Sequence, residues 1–270
     1  MKKFKMILLL LVLFFSTANV NATEIESLPL DVQALIFSNQ GNNVKALSLL
    51  DKAIKNEPKN ATYYNKRGRI KEAAKDFDGA MVDYSFAIKL KPDYASPYYN
   101  RGMLNKQMGK LANAGKDLFK YAELNPSYGA YATLGNLIQE ETKDYDAAIE
   151  HYTKAISYIQ PEIDKFKKNA KDASERMDMS NFEAAYYGRG MSYFFKNDFK
   201  NAIPDLNRAL YYQPYNPDAY IARGLSKAML GNKMGAFSDL GIAKQQYDKA
   251  GNKKGSAKAI DAIEMVKTLQ

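Results

Sequence analysis

The sequence predicts an all-α chain, a right-handed solenoid of antiparallel helix pairs stacked in series and closed by a C-terminal capping helix. Three observations predict it. Alanines at 46, 80, 114 and 148 stand 34 residues apart, and the series resumes at 202 and 236 after a gap longer by 20. Glycines at 68, 102, 135, 190 and 224 keep the same beat to within a residue, as do prolines at 58, 92, 126, 161 and 214. Self-similarity at such a period marks a repeat architecture, in which one unit cannot bury its apolar face without its neighbours.

The first 22 residues stand apart from the repeat. Lys2, Lys3 and Lys5 precede an apolar run from Met6 to Phe15, followed by the small polar stretch STANVNATE. This is the order of a secretory signal peptide, with cleavage expected after Ala18 or Ala22. The run is about half of the roughly 20 residues that a membrane-spanning helix needs. The expected place is the periplasm or the medium of a bacterium, with no integral membrane segment after cleavage.

Within residues 61–92, Tyr64, Gly68 and their apolar or small neighbours form one helical stripe, and Ala80, Tyr84 and Ala87 form the next. Gly68 and Ala80 are small where two antiparallel helices cross closely. A glycine inside a helix costs about 1 kcal/mol relative to alanine, so its recurrence marks a place where close contact outweighs propensity. Pro92 then ends the second helix.

These residues and their spacing resemble the tetratricopeptide repeat (TPR) family. Tyr186, Gly190, Tyr193, Ala202, Leu206, Ala209 and Pro214 carry the pattern most fully. Tyr64, Gly68, Ala80, Tyr84, Ala87 and Pro92 repeat it, as do Tyr220, Gly224, Ala236, Leu240 and Ala243. Tyr121 departs from it where alanine is usual, and Lys71 and Lys227 depart from it where an aromatic is common.

Four units are expected over residues 25–162, the first of them degenerate, with Ala34 in place of the glycine. Residues 163–182 form a charged insertion. Ile163, Phe166, Ala170, Ala173 and Met177 recur at helical spacing there, which predicts that the fourth unit's second helix continues past Pro161 or restarts beyond it; a linker is the alternative. That helix would separate a block of four units from a block of two. The two further units span 183–250, and residues 255–269 form the cap, presenting Ala257, Ile260, Ile263, Met265 and Val266 beside polar residues.

The formal charge of +9 falls to +6 with the signal removed, and both signs are interspersed. This lacks the basic stripe of a nucleic-acid footprint. No cysteine is present and His151 is the single histidine, so thiol chemistry is excluded and a zinc site or catalytic triad is poorly supplied. Neither a phosphate-binding loop nor a nucleophile elbow occurs. A non-enzymatic chain without cofactor or metal is therefore expected. An interaction scaffold that could remain monomeric is the main reading; a structural or self-assembling spacer, or a carboxylate-based hydrolase, are the alternatives.

Arg67, Arg101, Arg189 and Arg223 each precede a repeat glycine. A long basic side chain there can lay its stem along the next helix and reach an acidic neighbour, or the four can form a ladder that grips an anionic partner. The family resemblance implies that first helices line a concave groove for a protein or peptide partner. Mapped by helix position, Tyr187, Met191, Phe194, Phe195, Ile221, Leu225 and Met229 form an apolar groove, open or covered by the C-terminal helix or the insertion. Asn65, Arg69, Glu72, Tyr99, Met103 and Lys106 form a more polar one. The family's carboxylate clamp is matched only in part by Asn65, Arg69 and Lys106.

Overall fold

A computed structural model of the chain describes residues 22–169 and 183–269. The signal segment up to residue 21, and residues 170–182 of the insertion, lie outside the described residues. Among those described, the regular structure is fourteen α-helices, without a strand.

The chain divides into two compact units, one up to Leu124 and the other from Asn125. In the first, a short helix α1 (Ala22–Glu26) leads into three antiparallel pairs. These are α2 (Leu30–Asn39) with α3 (Asn43–Asn56), α4 (Ala61–Ala73) with α5 (Phe77–Leu90), and α6 (Ala95–Gln107) with α7 (Leu111–Leu124). In the second, α8 (Tyr128–Glu141) pairs with α9 (Tyr145–Asn169), α10 (Glu183–Phe195) with α11 (Phe199–Tyr212), and α12 (Pro217–Met229) with α13 (Lys233–Lys249). The last helix, α14 (Lys253–Thr268), packs on α13.

Local chemistry punctuates each pair. Asn42, Asp76, Asp198 and Asn232 cap second helices, each side chain accepting a hydrogen bond from a backbone N–H of the first turn. The turn within each pair passes through one left-handed residue, which is Gly41, Gly109 or Gly231 in some pairs and Lys75, Lys143 or Asn197 in the others.

The packing within a pair follows the repeat residues. Ala80, Tyr84 and Ala87 of α5 are fully buried. A Cβ added to Gly68 would lie 2.7 Å from Tyr84 Cε1, so glycine lets the Tyr84 ring rest on the α4 backbone. Within each unit, successive first helices touch more closely than successive second helices. First helices therefore form the inner face of each stack.

The insertion begins as a helix. α9 runs 25 residues through Pro161 to Asn169, and Ile159 and Ile163 are buried on it. The boundary between compact units falls before the fourth pair, not at the insertion. Contacts across the insertion explain why. Tyr128 Oη accepts a hydrogen bond from the Ala185 backbone N–H at 3.0 Å, and Gln139 Nε2 donates to the Gly188 carbonyl at 3.2 Å.

Of the expected cap residues, Val266 is buried and Ile263 half-buried against the core, while the others face solvent. Gly255, Ser256, Ala259, Ala262 and Val266 face inward. Ala257 is exposed, as are Ile260 and Met265 at 41% and 44%. Tyr247 of α13 lies against Gly255, where an added Cβ would come within 2.3 Å of its ring.

Candidate functional site

The inner face of the second unit carries the apolar residues singled out from the sequence. Tyr187, Met191 and Phe194 of α10 are half-buried and pack on the cluster of Ala202, Leu206, Leu210, Ala219 and Ala222. Ile221 and Leu225 of α12 are half-buried against a cluster that includes Ala262 and Val266 of α14, so the last helix partly covers them. Phe195 and Met229, at the ends of their helices, remain 48% exposed. Phe195 stacks on Tyr145 at 5.2 Å and meets Phe194 edge-on at 5.7 Å. The face is thus an aromatic and aliphatic surface with two open anchors at one edge.

Its polar margin was not apparent from the repeat pattern. Tyr152 of α9 is buried, and its Oη lies 2.7 Å from Asn136 Oδ1 and 2.8 Å from Gln139 Oε1. The ring presses on α10 at Gly188, where a Cβ would overlap it. Burial pushes the Tyr187 phenol up to about 12, with the nearby Asp218 and Glu183 charges acting in the same direction, so it stays protonated at neutral pH. The glycine at 188, outside the repeat series, was the available sign of this close approach.

In the first unit, Arg69 is exposed on α4, Tyr99 tilts against Tyr121 at 5.0 Å, and Met103 and Lys106 are half-buried on α6. Asn65, expected to be an exposed groove residue, is instead only 4% exposed. Its Nδ2 donates to Tyr94 Oη at 3.2 Å and its Oδ1 accepts from Asn100 Nδ2 at 3.0 Å, which draws the side chain between helices. Glu72, also half-buried, accepts from Tyr84 Oη at 2.6 Å.

The four arginines have a structural role. In each, Nε and Nη2 both donate to the aspartate sixteen residues on, pairing Arg67 with Asp83, Arg101 with Asp117, Arg189 with Asp205, and Arg223 with Asp239. Nη1 then reaches the second helix of the preceding pair, at Asp51, Ser85, Thr153 and Asn207 respectively. Each guanidinium spends its donors binding one pair to the next, a fork that lysine could not reproduce. The departures at Lys71 and Lys227 fit this scheme, since they add a second cation to Asp83 and Asp239 at 2.9 and 2.8 Å.

The fourth pair breaks the ladder. Leu134 stands in the arginine position and His151 in the aspartate position. His151 stacks on Tyr131 at 6.2 Å, and its buried Nδ1 has no hydrogen-bond partner among the described residues. Burial lowers its pKa, which favours the neutral ring. No group of three or more His, Cys, Asp or Glu among the described residues is placed to hold a metal.

With this geometry in place, comparison with known proteins identifies the fold. A TPR repeat model matches residues 73–109, and a tetratricopeptide repeat model matches 95–128, 128–160 and 183–216. A solved structure of YrrB, described as a TPR protein with an unusual peptide-binding site, aligns with a TM-score of 0.62 at 17% identity, covering 78% of this chain and 97% of that one. A tetratricopeptide repeat protein from Parabacteroides merdae aligns with a TM-score of 0.55 at 17% identity, covering 91% and 94%. Anaphase-promoting complex subunit 3 of Schizosaccharomyces pombe is 25% identical over 138 residues, which is 51% of this chain and 21% of that protein. The chain spans between 21% and 30% of the length of the first curated relatives it matches.

Proposed function

We propose that this chain, whose fold is that of the tetratricopeptide-repeat proteins, is a non-enzymatic interaction scaffold of the bacterial envelope. It holds a partner peptide or helix on the first-helix face of its pairs. TPR-fold proteins generally act as protein–protein interaction scaffolds, which supports the class. The observation that carries the reading is the apolar inner face of the second unit, with Phe195 and Met229 open beside half-buried Tyr187, Met191, Phe194, Ile221 and Leu225. Exposed aromatic and aliphatic groups that cluster in this way mark binding surfaces, and a few such anchors dominate interface energetics. A partner that offers an apolar stripe would dock as a helix or extended segment in a groove.

Placement in the envelope rests on Lys2, Lys3 and Lys5 ahead of the Met6–Phe15 run. Among the described residues no helix is long and apolar enough to cross a membrane. Fractionation that recovers shortened protein outside the cytoplasm supports export, and full-length protein confined to the cytoplasm refutes it.

The surface is tested by affinity capture from envelope extract with the mature protein and with the Phe195→Ser, Met191→Ser double variant. Retained proteins are identified in both. Loss of capture with helical content and melting temperature nearly unchanged supports the assignment. Unaltered capture, or unfolding of the variant, overturns it.

A further inference from the structure

The first helices of the second unit offer a partner no free positive charge. α8, α10 and α12 contain three cations, Arg189, Arg223 and Lys227, and all three are bound to Asp205 or Asp239 of second helices. Glu183 and Asp218, in the first turns of α10 and α12, are not neutralised in this way. Glu183 Oε1 accepts from Asn216 Nδ2 at 3.1 Å, and Asp218 Oδ1 accepts from Tyr247 Oη at 2.7 Å. Both donors are neutral, and neither carboxylate meets a cation among the described residues. Acidic residues in a first turn ordinarily serve the helix dipole from solvent. Glu183 departs from that, because it is half-buried, and burial raises its carboxyl pKa with only the Asn216 amide acting the other way. Both carboxylates belong to the apolar face. Glu183 lies four and eight residues before Tyr187 and Met191, and Asp218 lies three and seven before Ile221 and Leu225, spacings that share one helical stripe. Both also act electrostatically on the Tyr187 phenol. The face is thus apolar along its length and anionic where α10 and α12 begin.

We infer that the partner on this face is a basic amphipathic helix, whose apolar stripe packs on Tyr187, Met191 and Phe195 and whose lysine or arginine side chains meet Glu183 and Asp218. This rests on the proposed reading of the face as the partner surface and adds the partner's charge to it. Anchors spaced by four, at Ile221, Leu225 and Met229, match the stripe of a helix laid in a groove. A cation from the partner supplies the half-buried Glu183 with the counter-charge that the fold withholds. Complementary charge of this kind fixes register and rejects partners of the wrong sign. An acidic helix would set like charges against Glu183 and Asp218. The overall charge of the chain acts in the opposite sense, since at +9, or +6 without the signal, it attracts anions at long range. A preference for a cationic helix therefore reports the local face and not the net charge.

The test is fluorescence anisotropy with the mature chain and three labelled helical peptides. The peptides share one leucine stripe and differ only in carrying lysine, glutamine or glutamate at the flanking positions. The lysine peptide should bind about fivefold more tightly than the glutamine peptide, as suits one or two solvent-accessible ion pairs, and the glutamate peptide should bind most weakly. Glu183→Gln with Asp218→Asn keeps an oxygen acceptor for Asn216 and Tyr247, and it should bring the lysine-to-glutamine ratio close to one. Phe195→Ser with Met191→Ser should weaken binding of every peptide. Equal binding of the lysine and glutamine peptides, tightest binding by the glutamate peptide, or a ratio unaltered in the carboxylate variant overturns the inferred charge. If that binding is still lost in the Phe195→Ser, Met191→Ser variant, the apolar surface stands without it. No binding by any peptide, or binding untouched by the Phe195→Ser, Met191→Ser change, overturns the surface and the inference together.

Discussion

Arg67 and Asp83 meet through two parallel hydrogen bonds, Nε to Oδ2 at 2.9 Å and Nη2 to Oδ1 at 2.7 Å, with the Asp83 side chain only 2% exposed. A third donor, Nη1, holds Asp51 at 2.7 Å, so one side chain binds three helices. The geometry recurs in three other pairs, and it explains why the arginines are fixed inside the fold rather than offered to a ligand.

Removing one partner should cost more than removing both. Asp83→Ala leaves Arg67 and Lys71 without their shared anion, and a loss of about 2–3 kcal/mol is expected, below the usual buried-pair value because both cations keep some solvent. The Arg67→Met, Asp83→Leu double variant should recover a large part of that loss. Denaturant midpoints for Arg67→Met, Asp83→Leu and their double variant measure the coupling, with Asp83→Ala as the check on the unpaired cations.

The close approach at Gly188 gives a sharper expectation. Gly188→Ala should destabilise the second unit by more than about 2 kcal/mol, as overpacking does when a ring has no room to shift. Tyr152→Leu in the same chain should relieve most of this clash. Thermal melts of the single and paired variants decide it; a neutral Gly188→Ala would mean that the ring yields.

Tyr128 fastens α10 to α8 by accepting from the Ala185 N–H at 3.0 Å. Tyr128→Phe leaves that N–H without its acceptor, at an expected cost of about 1–3 kcal/mol. Hydrogen exchange at the Ala185 amide should accelerate markedly more than exchange in α12. Equal acceleration throughout would show a global effect instead.

Acid sensitivity should trace in part to His151. Its pKa is lowered in the folded chain by burial, so the unfolded chain binds the proton more readily. Stability then falls as pH drops through the unfolded histidine value of about 6.5, and keeps falling until the folded ring also protonates. His151→Gln should lose less melting temperature than the parent protein between pH 7.5 and pH 5.5. An identical loss in both would assign the sensitivity to other groups.

The repeat beat, the helix pairs and the glycine contacts were legible in the residues, because an alanine or glycine every 34 positions leaves few ways to bury a face. The arginine–aspartate staples were half legible. Arginine before four of the five repeat glycines was evident, and the matching aspartates sixteen residues on could have been read from the same rows. The fate of exposed-looking positions could not be read this way. Asn65 and Arg69 stand one helical turn apart, yet Asn65 is drawn into a bridge with Tyr94 and Asn100 while Arg69 stays in solvent. Periodicity reports which side of a helix faces its neighbours. Whether a polar group on the margin finds a partner depends on side chains contributed by the next pair, tens of residues away. The same holds for Gly255 of the cap, which meets the Tyr247 ring, and for Ile221 and Leu225, whose cover comes in part from α14. Local sequence specifies helices and their apolar stripes; burial at the edges is a property of how neighbouring helices meet.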